Sequence, residues 1–179
     1  VAALCEVGGA VSGIYDLVNT KKAYPEAIPV LLRVLPEIQE NVVKEGVVRA
    51  LTVKEARGIA AKPLVKEFKK FSPQDLPSAQ PVKWAIGNAL SVVADDSVFE
   101  EIDELVRDKR YGKAREMLAV ALSNMKDPRV TNVLIELLED QEVAGHAIMA
   151  LGQLRARDAR SAIMPFLNHR QCWIRQEAK

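Results

Sequence analysis

The pattern of hydrophobic and polar residues predicts a series of short amphipathic helices separated by polar turns. The stretch 112–167 shows it best, because it reads as helix, turn, helix, turn, helix, with the same residue types returning in phase. Its polar turns lie at 126–128 and 139–142. No stretch shows the strict alternation of apolar and polar residues that is typical of a strand.

One dipeptide marks a repeat along the chain. Alanine followed by leucine occurs five times, and the later occurrences are separated by about 30 residues, the length of a two-helix unit. The alanines are Ala3, Ala50, Ala89, Ala121 and Ala150. Because one pair of helices cannot bury its own apolar stripe, neighbouring pairs are expected to stack into a continuous core.

The predicted fold is therefore all-α, a right-handed α-α superhelix (solenoid) of about four to five stacked helical hairpins. We expect a single domain over 1–179, with an irregular part and a series of repeats. The irregular part is 1–23, and the repeats are at about 24–57, 58–94, 95–126 and 127–156, with a partial repeat at 157–179.

Local signals refine three features of this prediction. Three prolines between 72 and 81 predict a loop inside the second repeat. The helix before that loop is expected over 59–71, with Ile59 among its buried residues. Both ends of the chain fall inside a predicted helix, so we expect a fragment of a longer array.

The amino-acid composition and net charge argue against several classes of function. Apolar residues make up 49% of the chain and aromatic residues only 5%, which suits helices packed closely through small side chains. The formal net charge of +1 gives no support for binding to nucleic acid or to a membrane surface. The two cysteines, Cys5 and Cys172, form no disulfide framework, and no apolar run is long enough to span a membrane. A cytoplasmic protein is the expectation, and the oligomeric state stays open.

The second helix of each predicted pair resembles the second helix of HEAT repeats. That helix often reads as a small residue or Val, a basic residue, then Ala and finally Ala-Leu-Gly at helical spacing. The matching basic residues are Lys44, Lys83, Arg115 and Arg175. Two departures are that Ala144 replaces the basic residue and that Gly152 alone matches the family glycine. The resemblance implies a helical solenoid whose second helices line a concave face, where partners often bind.

If the second helices line the concave face, the helical phase predicts which side chains point into the groove. Residues four apart share a helix face, so they form one continuous patch. The predicted partner-binding residues are Glu45, Arg49, Trp84, Asn88, Glu116, Val120, Met149 and Gln153, with Gly145 and Gln176 on the same rows. Trp84 is the strongest candidate, since an exposed indole is a good binding anchor. Packing of Trp84 beneath the loop at 72–81 is an equally weighted alternative.

The recurring basic residues allow two interpretations. They either form a ladder for phosphates or an acidic peptide, or they pair with turn acids such as Asp108 and Glu142 in neighbouring units. We favour pairing, because stacking of the repeats needs the same spacing.

Two further clusters have weaker signals. Arg155, Arg157 and Arg160 crowd one turn, for which a solvated turn is favoured over an anion site. His169 and Cys172 are two possible metal ligands without a second pair, so no metal site is predicted. His146 is expected to be a partly buried packing residue.

The leading functional hypothesis is a non-catalytic scaffold that binds a protein or peptide segment in the groove. No enzyme motif is found, and no cofactor is predicted. Two alternatives remain: a nucleic-acid-binding protein similar to HEAT-like DNA glycosylases, and a protein similar to HEAT-like bilin lyases. The near-neutral charge argues against the first, and no residue identifies a chromophore site for the second.

Overall fold

The structure is a computed structural model that describes residues 13–72 and 79–179. The repeat mark at Ala3, most of the irregular N-terminal part and most of the predicted loop therefore lie outside the described residues. Those that are described form eleven α-helices joined by short 3₁₀ turns, with no strand. The all-α prediction is confirmed.

The α-helices follow one another at short intervals along the chain. They are α1 (Ile14–Asn19), α2 (Ala27–Val34), α3 (Asn41–Ala50), α4 (Ala61–Lys69), α5 (Gln80–Val93), α6 (Phe99–Arg107), α7 (Glu116–Ala121), α8 (Val130–Glu136), α9 (Ala144–Leu154), α10 (Arg160–Ile163) and α11 (Cys172–Glu177). Each even-numbered helix is followed by an odd-numbered partner, as in a series of helical hairpins.

The odd-numbered helices stack on one another in chain order. Contacts run from α1 to α3, α3 to α5, α5 to α7, α7 to α9 and α9 to α11. We call these six helices the second-helix layer. The even-numbered helices form the other layer, and the two layers enclose one continuous apolar core. The described residues thus form an α-solenoid.

Small residues in the second-helix layer let consecutive helices approach closely. A Cβ placed on Gly87 of α5 would lie 3.2 Å from Met117 Cβ of α7. A Cβ placed on Gly145 of α9 would overlap the indole ring of Trp173 in α11, lying 2.7 Å from its Cζ3 atom. A larger residue would crowd α7 at the first position and displace the indole at the second.

Polar residues before two helices act as start signals. The carboxylate of Asp95 accepts a hydrogen bond from the Ser97 backbone N–H at 2.9 Å, just before α6. The carboxylate of Asp127 accepts one from the Arg129 N–H at 2.9 Å, just before α8. Both contacts satisfy backbone N–H groups in the turn that leads into the helix.

Two helices differ from the sequence prediction. Ile59 does not face the core, because α4 begins only at Ala61 and Ile59 keeps 51% of its surface exposed in the preceding turn. The helix expected at the start of the stretch 112–167, before the turn at 126–128, is shorter, since α7 covers only Glu116–Ala121 and 3₁₀ turns flank it on both sides. Gly112 lies in the first of these turns with φ of 51°, a conformation that suits glycine and interrupts the helix.

No described helix has the length and apolar character needed to cross a membrane.

Candidate functional site

The predicted groove residues lie along the second-helix layer with different degrees of exposure. Trp84 keeps 42% of its surface exposed, whereas Val120 keeps only 5% and offers little to a partner. Asn88, Glu116 and Met149 are half-buried, and Gln153 is exposed. Glu45 and Arg49 bind each other through a salt bridge of 2.7 Å on α3. Binding of a partner to this patch of side chains stays a prediction.

Trp84 lies beside a surface pocket of about 440 Å³. One wall is the first turns of α5, with Gln80 and Trp84, and the other is the turn before α7, from Arg110 to Ala114. Tyr111 in that turn is fixed from below, because its ring packs against Phe68 with centroids 5.3 Å apart. An exposed indole is thus held next to a concave surface by residues that belong to the core.

The charge of this pocket is positive. Arg110 binds Asp108 through a salt bridge of 2.6 Å, so its charge is largely balanced. Hydrogen bonds from Arg110 hold the pKa of the half-buried Asp108 carboxyl below its usual value. Lys113 is exposed, and no salt bridge joins it to another residue in the described part of the chain. A ligand with an apolar group and a negative charge would complement this pocket.

Further along the layer, one position differs from the predicted row. Gly145 is buried under Trp173, and the neighbouring His146 is half-buried. The Nε2 atom of His146 is 4.0 Å from a carboxylate oxygen of Glu116, and its ring is 5.3 Å from the Trp173 ring. His146 is indeed partly buried, as predicted. Because Gly145 has no side chain, the indole of the next helix occupies the space above it.

The sequence reasoning did not select Trp173, although a signal for it was present. Trp173 lies three residues before Gln176, the same offset that separates Lys113 from Glu116. Equivalent positions on α3 and α5 are Val42 and Pro81, and all of these residues are exposed. Extending the predicted groove surface by one helical turn toward the start of each helix would have included Trp173.

The recurring basic residues do not form a surface ladder. Lys83 and Arg115 are almost completely buried, at 1% and 0% exposure, and Lys44 is buried with a salt bridge of 2.9 Å to Glu67. Lys83 donates a hydrogen bond of 3.0 Å to the Ser72 carbonyl oxygen. Arg175 donates to the His169 carbonyl oxygen at 2.7 Å. Three of the four cations are therefore buried and bind groups of the chain, which leaves no basic ladder on the surface.

Arg115 shows how a basic residue at this recurring position joins neighbouring units. Its guanidinium donates to the carbonyl oxygens of Gly112 and Val106 and forms salt bridges of 2.8 Å with both Asp140 and Glu142 of the next unit. Burial opposes the charge on Asp140, but the hydrogen bonds from Arg115 and from the Glu142 N–H outweigh it and lower the pKa of Asp140. Pairing of Arg115 with Glu142 is confirmed, whereas Asp108 binds Arg110 instead.

The possible metal ligands remain unassembled. In the described ranges, no group of three or more His, Cys, Asp or Glu side chains is placed to hold a metal ion. The Nδ1 atom of His169 accepts a hydrogen bond from the Gln171 N–H at 3.2 Å, and Cys172 is exposed as a free thiol.

The fold defines the protein as an α-solenoid of stacked helical pairs. Within it, residues 114–140 match the family model of the PBS lyase HEAT-like repeat, so the chain carries a HEAT-like repeat, as its second-helix pattern predicted. The matched stretch runs from the residue before Arg115 to Asp140, and the salt bridge between these two side chains joins its ends. No curated protein and no solved structure gives a significant match to the chain.

Proposed function

We propose that this protein is a non-catalytic scaffold that binds a protein or peptide segment on the second-helix layer, with Trp84 as its main anchor. The supporting observation is the 42% exposure of this indole beside a pocket of about 440 Å³. Buried aromatic anchors supply most of the affinity at many protein interfaces, and tryptophan is among the most frequent of them.

The pocket favours a segment of a particular kind. The turn from Arg110 to Ala114 forms one wall, and Lys113 in that turn adds a positive charge. An aliphatic or aromatic side chain would displace water from the indole, and a neighbouring carboxylate would pair with Lys113. Because core residues hold both walls, the surface pays little conformational entropy on binding. We place this scaffold in the cytoplasm, where the exposed Cys172 thiol stays reduced.

The test uses short random peptides displayed on phage and selected on the full chain. The enriched peptides are then synthesised, and their dissociation constants are measured by fluorescence anisotropy. Trp84→Ala should weaken binding by about tenfold or more, which corresponds to about 1.4 kcal/mol. The melting temperature should stay nearly the same, because the ring is only partly buried.

The matched control is Ile59→Ala, which removes another apolar side chain that is about half exposed (51%) but lies outside the second-helix layer. It should leave peptide binding unchanged. Equal binding by the Trp84→Ala variant and the parent chain would contradict the proposal, and so would a large loss of thermal stability in that variant.

A second candidate function follows from the family description, which refers to a lyase. It is a role similar to that of HEAT-like bilin lyases. Mixing the protein with a linear tetrapyrrole and recording the absorption spectrum tests this candidate, and an unchanged spectrum would dismiss it.

A further inference from the structure

A second exposed tryptophan lies on the same layer as Trp84, at the contact of α9 with α11. The far edge of the Trp173 ring, at Cη2, Cζ3 and Cζ2, lies against Gly145, and 40% of the residue remains exposed. His146 packs against the ring with centroids 5.3 Å apart, and Glu116 of α7 lies next to His146. We call the surface formed by Glu116, His146, Trp173 and Glu177 the Trp173 face.

The carboxylates of this face lack the cationic partners that several other acids of the described residues possess. Glu67 binds Lys44 and Lys70, and Glu136 binds Arg107. In contrast, no lysine or arginine of the described ranges forms a salt bridge with Glu116 or Glu177. The one cation of α11, Arg175, donates instead to the backbone carbonyl oxygens of His169 and Arg170, at 2.7 and 3.1 Å.

His146 does not neutralise these carboxylates at neutral pH. Burial lowers the pKa of His146, and the nearby charges of Glu116 and Glu177 offset that shift only in part. Its Nδ1 atom is buried and has no hydrogen-bond partner among the described residues, so a proton there would be left unsatisfied. The Trp173 face therefore combines an exposed indole, a neutral imidazole and two negative charges.

We propose that the Trp173 face binds a lysine or arginine side chain of a protein segment, held over the exposed indole between the carboxylates of Glu116 and Glu177. A cation over a tryptophan ring is stabilised by the negative potential of the ring face, and adjacent carboxylates add charge complementarity. The inference rests on the proposed function, because it assigns a second contact point on the same layer. It also defines the partner further, as a segment with a basic residue in addition to the apolar group that meets Trp84.

The probe is a lysine- or arginine-containing peptide from the phage selection, compared with the same peptide carrying norleucine at that position. Glu116→Gln combined with Glu177→Gln should weaken binding of the basic peptide by about tenfold and leave the norleucine peptide unaffected. Trp173→Leu should also weaken the basic peptide selectively. Melting temperatures of all variants are recorded, so that a loss of folding is recognised.

The charge-matched control is Glu101→Gln combined with Glu139→Gln, two acids outside the second-helix layer that form no salt bridge in the described structure. It should bind both peptides as the parent chain does. The inference is overturned if the Glu116 and Glu177 variant binds the basic peptide normally, or if selection enriches no basic residues. If Trp84→Ala still weakens binding in that case, the proposed function stands alone; if no peptide binds at all, both proposals fail.

Discussion

At the scale of single residues, the interior of this solenoid contains charged side chains with defined partners. Arg115 has no exposed surface and joins three parts of the chain: the turn at Gly112, the end of α6 at Val106, and the acids of the following turn. Only a planar guanidinium with several N–H donors can reach all of these acceptors at once.

We therefore expect Arg115→Lys to lower the free energy of unfolding by about 2 kcal/mol or more, because the ammonium group leaves several buried acceptors unsatisfied. Urea unfolding followed by circular dichroism measures the change. Arg110→Lys is the control, since the Arg110 side chain is 72% exposed and should tolerate the change. An equally small effect of both substitutions would contradict this role of Arg115.

His146 gives the molecule a pH dependence of defined sign. Its pKa is lowered in the folded state, chiefly by burial, so the unfolded chain binds the proton more readily. The free energy of unfolding should be highest above the unfolded pKa of about 6.5 and should fall as the pH is lowered from about 7.5 to about 5.5. Urea titrations at several pH values measure this slope.

The slope assigned to His146 should become shallower in His146→Gln, which cannot take up a proton. His169→Gln should keep it, because His169 lies outside the Glu116, His146 and Trp173 contact. A slope that is the same in His146→Gln as in the parent chain would show that other groups cause it.

At the scale of helices, the spacing in the second-helix layer depends on small residues at the contacts. The closest approach described involves Gly145 of α9, which lies directly beneath Trp173 of α11. Gly152, in the same helix, has no atom within 4 Å of the position where its Cβ would stand. The two glycines therefore separate the effect of packing from the effect of helix propensity.

We expect Gly145→Ala to lower the free energy of unfolding by about 1 to 3 kcal/mol, because the added methyl group displaces the indole. Gly152→Ala should instead raise it by up to about 1 kcal/mol, since alanine favours the helix and meets no neighbour. Thermal unfolding of both variants, measured side by side, tests the pair. Stabilisation by both substitutions would mean that Trp173 does not pack on Gly145.

At the scale of the whole molecule, the most extensive contacts of each helical pair are with the pairs next to it in the chain. Stability in such an array is a sum of the stabilities of the pairs and of the contacts between them. Among the described residues, helices α5 and α7 have packed neighbours on both sides, whereas α1 and α11 each contact a single odd-numbered helix.

Amide hydrogen exchange should follow this arrangement. We expect the slowest exchange in α5 and α7 and the fastest in α1 and α11, because local opening needs the loss of fewer contacts at the outer helices. Mass spectrometry of the exchanging chain, with peptides assigned to each helix, gives the order. Uniform protection along the whole chain would contradict a nearest-neighbour array.

The sequence alone predicted the helices and their alternation well, because apolar spacing and the Ala-Leu mark depend on local chain chemistry. It misplaced features that depend on contacts between units. Gly145 was expected at the surface, but only the position of Trp173, 28 residues away in the next pair, shows that it is buried. The basic residues were found by their period, yet their burial depends on the acids and carbonyl groups that meet them from neighbouring turns.

The two half-exposed indoles give this molecule its own optical label. The chain has only two tryptophans, Trp84 and Trp173, which lie on helices α5 and α11 and keep 42% and 40% of their surfaces exposed. Ultraviolet emission of the unmodified chain therefore originates almost entirely from this one layer. Variants that keep a single fluorophore will show at which end a bound molecule changes the emission, without any dye attached.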